Sequence, residues 1–200
     1  MTKKKKWILG GGIAAVLLLA LAAILLLPGL LEDSETQKKG RKAETSLNLL
    51  MEALITGQDC REAVLLGADG KPVTVSAGEG LAAMITTKLN YEILSLSTGD
   101  KTGTAELRIV APDVLVLVDQ ALADMERYDA TLFQERMEQL LQGDVKMLEY
   151  TVELSLVQVD GDWCVVTNTQ FSDAITGGLI SRYDELQQKI LDAIAGGEAQ

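Results

Sequence analysis

The chain has 200 residues, a formal net charge of −11 and no histidine. Without histidine it lacks the commonest general base and the commonest zinc ligand, and its two cysteines are too few for a disulfide framework or a Cys-rich metal site. Four of the 18 Lys and Arg precede residue 7, which leaves fourteen cations against 29 acids and a net −15 beyond it; such a surface repels phosphate backbones and anionic lipid, and it excludes nucleic acid as an expected partner.

Trp7 to Leu27 is a run of 21 residues without a charge. At about 1.5 Å rise per residue it makes a helix of roughly 31 Å, the thickness of a bilayer hydrocarbon core. Residues 7–28 are therefore expected to form one transmembrane helix, with the lipid bilayer as partner. Lys3, Lys4, Lys5 and Lys6 make residues 1–6 a short cytoplasmic tail by the positive-inside rule, which puts the rest outside the cell membrane. Lys38, Lys39, Arg41 and Lys42 beyond the span weaken that bias. Ala20-Leu21-Ala22 has the spacing of a cleavage site, but the chain stays apolar after it, so the span is read as uncleaved. The nearest cysteine, Cys60, is too distant for lipoprotein attachment. Gly10-Gly11-Gly12 is either a plain helix segment or a close helix–helix contact.

Residues 29–43 are polar and read as a linker. From Glu44 the pattern changes: Leu47, Leu50, Met51, Leu54 and Ile55 form one helical stripe that Gly57 closes. Cys60 to Leu66 reads as a short second helix, 67–80 as flexible and turn-rich, and Glu79 to Leu89 as a third helix. Tyr91–Ser97 and Thr104–Val110 form a hairpin, with Ala105, Leu107 and Ile109 inward. Pro112-Asp113 opens a helical stretch to Gly143 that bends near 127–131. Lys146–Val159 and Trp163–Thr167 form a second hairpin around Asp160-Gly161-Asp162. One C-terminal helix carries Ile175, Leu179, Tyr183, Leu186, Ile190 and Ile194, weakened at Gly177-Gly178 by about 1 kcal/mol each. Two antiparallel hairpins with helices on one face make an α+β domain with about four strands.

Three stretches carry a resemblance: Thr104–Val110 running into Pro112-Asp113; Tyr150–Val159 closed by Asp160-Gly161-Asp162-Trp163; and Phe171-Ser172-Asp173-Ala174-Ile175-Thr176-Gly177-Gly178-Leu179. Together they resemble the NTF2-like, or cystatin-like, domains of membrane-tethered or lipoprotein-type proteins of Gram-positive bacteria, over about 44–180. The resemblance implies a curved antiparallel sheet wrapped on helices, a cone that can enclose a pocket, and no particular chemistry. Cys164 stands where that group commonly has a basic residue, and 181–196 adds an amphipathic helix beyond its usual end.

No stretch has a complete catalytic, cofactor or metal-ligating pattern. Tyr91, Tyr128, Tyr150 and Tyr183 lie near acids such as Asp124, Glu149 and Glu153, the materials for a phenol–carboxylate site, but chance alone gives such pairs. Asp160-Gly161-Asp162 and Asp69-Gly70 lack the spacing of a calcium loop. Trp163, with Tyr150 and Tyr91, is a candidate pocket or interaction residue; its alternative is to cap a hairpin core. Cys60 and Cys164 either form a disulfide, contributing about 4–5 kcal/mol through a loop of roughly 100 residues, or are small buried hydrophobes. The expectation is a non-catalytic, membrane-anchored extracytoplasmic module with an envelope protein as partner. The alternative is a small-molecule carrier or enzyme that uses the cavity, and the oligomeric state is left open.

Overall fold

Six strands and six helices make up the described residues of this computed structural model, which are 41–76, 80–123, 125 and 128–196. In chain order they are α1 (Ala43–Thr56), β1 (Cys60–Leu66), β2 (Pro72–Val75), α2 (Gly80–Thr86), β3 (Asn90–Thr98), β4 (Thr102–Pro112), α3 (Val114–Ala123), α4 (Ala130–Gln142), β5 (Met147–Val159), β6 (Asp162–Val166), α5 (Thr169–Ile175) and α6 (Tyr183–Gly196). One sheet takes all the strands in the order β2-β1-β6-β5-β4-β3. Every neighbouring pair is antiparallel except β1 and β6, which run parallel with Leu65 beside Val165.

The α+β class holds, but the expected antiparallel sheet of about four strands is wrong: the sheet is six-stranded and mixed. Cys60–Leu66, expected as helix, is β1, and Pro72–Val75, in a stretch expected as turns, is β2. A short apolar run such as Ala63–Leu66 has no period that separates helix from strand. The choice falls to tertiary pairing, and β6 offers β1 an edge that no local helix could use. The expected transmembrane helix, residues 7–28, lies outside the described residues. None of the helices among the described residues is long and apolar enough to cross a membrane.

The sheet has one buried face and one wet face, as its alternation requires. Ala105, Leu107 and Ile109 of β4 and Val152, Leu154 and Leu156 of β5 point inward and are at most 2% exposed. α1 lays Leu47, Leu50, Met51 and Leu54 on them, and α5 adds Phe171, Ala174 and Ile175. Each such large side chain contributes about 1.5–3 kcal/mol by leaving water. Thr104, Glu106 and Arg108 of β4 and Thr151, Glu153 and Ser155 of β5 stay exposed on the other face. A second apolar core joins helices to helices: Ile85 of α2, Val114, Leu117 and Val118 of α3, Phe133, Met137 and Leu141 of α4, and Leu186 of α6.

Two tight turns rest on left-handed residues. Asp160 (φ 51°) and Gly161 (φ 92°) supply the loop of a two-residue hairpin and join β5 to β6 as expected. Gly177 (φ 66°) and Gly178 (φ 84°) do more than weaken a helix: they end it. The single expected C-terminal helix is α5 and α6, folded apart at this pair. A Cβ on Gly177 would overlap the carbonyl oxygen of Pro112 and come within 2.8 Å of Val114 Cγ2, so the turn packs directly on the start of α3.

Candidate functional site

The register brings two of the candidate residues into one row. Tyr91 of β3 and Tyr150 of β5 both lie opposite Ile109 of β4 on the inner face, so about 10 Å of sheet separates them. Tyr91 Oη donates to Asn48 Oδ1 on α1 at 2.9 Å. Tyr150 Oη is buried with no hydrogen-bond partner. Burial pushes both phenols above their ordinary value; Glu52 adds to the rise at Tyr91. At Tyr150 Asp173 raises it further, Arg182 pulls it back, and Asp113 raises it again.

Tyr150 belongs to a polar cluster where β4, β5 and the α5–α6 turn meet. Its centre is Asp113, 3% exposed. Asp113 Oδ1 accepts from Arg182 Nη1 at 2.9 Å, and Oδ2 lies 3.2 Å from Lys146 Nζ. The same carboxylate accepts a long bond from Val116 N at 3.4 Å, so it caps α3. Asp173 Oδ1 accepts from Ile180 N and Ser181 N, both at 2.9 Å, and shapes the turn that carries Arg182. A Cβ on Gly178 would stand 2.9 Å from Tyr150 Oη and 3.5 Å from Arg182 Nε. The cluster is closely packed, and its buried carboxylate is matched by two cations. The sequence pattern places no acid in an apolar setting. Asp113 is visible there only as a helix opener after Pro112, and its partners are 33 and 69 residues away along the chain.

A second cluster sits at the opposite end of β5, where the described chain begins. Arg41 is 10% exposed at its side chain. Its Nε donates to Ser46 Oγ at 2.8 Å, Nη1 to Glu62 Oε2 at 2.5 Å and Nη2 to the Ala63 carbonyl at 2.6 Å. Its backbone N donates to Asp162 Oδ1 at 2.6 Å, and its carbonyl accepts from Trp163 N at 3.3 Å. Ser46 Oγ donates in turn to the Trp163 carbonyl at 2.5 Å. The expected linker thus ends in a fixed residue, one that its place among basic linker residues conceals.

Of the remaining candidates, Trp163 meets the Arg41 cluster through its backbone alone. Trp163 is 8% exposed and packs in the sheet–helix core, so no ring face is offered for stacking. Cys60 and Cys164 are free, buried thiols. The Leu65–Val165 register puts Cys60 roughly four strand positions, about 13 Å, from the level of Cys164, beyond disulfide reach. Burial raises the Cys164 thiol, Arg41 lowers it and Asp162 raises it. Among the described residues no three acids or cysteines form a metal-holding group. Asp69 instead accepts from Lys71 N at 3.1 Å within its own turn.

On the wet face the register sets Glu106 directly opposite Glu153. Like charges so placed repel, and among the described residues neither forms an ion pair. Arg108, one row away, pairs with Glu92 of β3. Chemically, the inner face offers packed hydrocarbon and satisfied ion pairs, while the outer face and sheet edge offer unmatched acid and backbone. No family model, no curated protein and no solved structure matches this chain.

Proposed function

We propose that the chain is a non-catalytic binding or interaction module, held at a lipid bilayer by residues 7–27 with the α+β domain on the extracytoplasmic side. The observation that carries this reading is the filled inner face. Leu47, Met51, Leu107, Leu154 and Phe171 are each at most 1% exposed where an NTF2-like cavity would open. The α+β arrangement is compatible with that resemblance, and the packing favours its binding members over its enzymes. The alternative, a small-molecule carrier or enzyme, has one observation in its favour: the unpartnered Tyr150 hydroxyl near Asp113 and Arg182. Against it, Gly178 crowds that hydroxyl and both carboxylate oxygens of Asp113 are engaged.

A thermal-shift screen of the full chain in detergent, with small molecules and metal ions, separates the two. A ligand at 100 times its Kd stabilises a fold by about 2.7 kcal/mol, roughly 5–10 °C for a domain of this size. No such shift is expected, and a reproducible one from a small molecule would favour the carrier-or-enzyme alternative. Protease added to intact cells should remove the domain; full protection would reverse the orientation.

A further inference from the structure

We propose that the edge of β3, which no other strand among the described residues pairs, is a strand-addition site for an extended, basic segment of a partner protein; this rests on the interaction-module reading and gives it a surface and a partner chemistry. The two edges of the sheet are built differently. β2 has four residues and begins with Pro72 next to Lys71, the devices that keep an edge from pairing. β3 has nine residues, Asn90–Thr98, with no proline and no lysine or arginine. Its single charge, Glu92, is met by Arg108 on its own sheet. Leu94 and Leu96 are 45% and 36% exposed. Ile93 lies opposite Leu107 and Ser95 opposite Glu106, so Leu94 is an extra residue that tilts the strand at mid-length and leaves Ser95–Thr98 as an open run.

The unmatched acids set the partner's chemistry. Ser95, Glu106 and Glu153 form one cross-strand row on the wet face. Ser95 is the small member and stands between the two carboxylates and the edge. A strand added beside β3 would lie about 10 Å from β4, a span that a lysine or arginine side chain can cross over a serine. Its cation would relieve the Glu106–Glu153 repulsion that the domain alone leaves in place. Side chains on the partner's other face would meet Leu96 and Ile93, so the segment alternates basic and apolar residues. A second copy of this chain fits poorly, because it would extend the same acidic face and bring the net −15 of its own residues 7–200 with it.

The test uses the full chain in detergent and a fluorescein-labelled peptide of about seven residues alternating lysine and valine, read by fluorescence anisotropy. One comparison peptide carries N-methyl groups on its valine amides, which keeps charge and composition and removes the ladder. The unmodified peptide should bind at least about tenfold more tightly, the contribution of one or two backbone hydrogen bonds. A Glu106→Gln/Glu153→Gln variant, whose fold should be unchanged or firmer, should bind about fivefold more weakly. Ser95→Arg, which supplies the cation in cis, should abolish binding. Equal affinity for the two peptides, no binding by either, an unaffected Gln variant, or β3-dependent dimerisation without peptide would each overturn the proposal. A failed peptide leaves the thermal-shift result on small-molecule binding intact, and a small-molecule ligand in that screen says nothing about the edge.

Discussion

Removing the Asp113 carboxylate should destabilise the domain through two bonds of known geometry. In Asp113→Ala the domain loses a charge-assisted bond to Arg182 at 2.9 Å and a long helix cap at 3.4 Å. A hydrogen bond to a charged group contributes about 1.5–3 kcal/mol, and a cap of that length about half of the usual ~1 kcal/mol. Lys146 adds little, since its side chain is 62% exposed and water replaces the lost partner. The expected cost is therefore about 2–4 kcal/mol, or roughly 4–15 °C in Tm. Arg182→Ala should cost about 2–3 kcal/mol, because it leaves a buried carboxylate facing only an exposed lysine. Urea unfolding of both single variants and the double variant, followed by far-UV circular dichroism, gives the coupling. About 1.5–3 kcal/mol is expected between the two sites. If the double variant is additive to within about 0.5 kcal/mol, Arg182 and Asp113 are neighbours without being partners, and the account of the α5–α6 turn as pinned to α3 fails.

Gly177→Ala should be worse tolerated than Gly178→Ala or any surface change: the left-handed backbone costs about 1 kcal/mol by itself, and the new methyl meets the Pro112 carbonyl. Soluble yield and Tm would show it, and a wild-type Tm would refute the close approach. In alkali, Tyr91, Tyr128 and Tyr150 should ionise above the ordinary value of 10.0. Phenols raised in the folded state stabilise it fully below that value, so stability should fall as pH climbs past it, and phenolate absorbance should rise together with unfolding. Native alkylation should leave Cys60 and Cys164 unmodified, and denaturation should expose both; a mass unchanged by reduction would confirm free thiols.

How much of the fold can be read from the residues depends on the range of the forces involved. The alternation of Ala105, Leu107 and Ile109, the Asp160-Gly161 turn and the left-handed Gly57 that closes α1 (φ 63°) are local facts, and each stands in the structure as expected. The bend in 113–143 is also local, and Asp129 caps α4 there by accepting from Thr131 N and Leu132 N. Cys60–Leu66 reads as helix and folds as strand because its identity is decided by β6, about a hundred residues on. The same holds for the sites. Tyr91 and Tyr150 are visible as aromatics, but their shared row depends on the register of three strands. Asp113, Arg182 and Lys146 meet only once the Gly177-Gly178 turn has folded.

The Arg41 clamp sets which end of the domain the preceding chain joins. Arg41 is bonded to Asp162 and Trp163, level with the end of β5 at Val159. Asp113 lies at the other end, next to the Pro112–Met147 pair. Thirteen residues of β5 separate the two, a strand contour of roughly 40 Å. Whatever precedes residue 41 therefore leaves from the hairpin end. The second helical core stands at the far end, and β3, at the edge of the sheet, runs along the flank between the two ends.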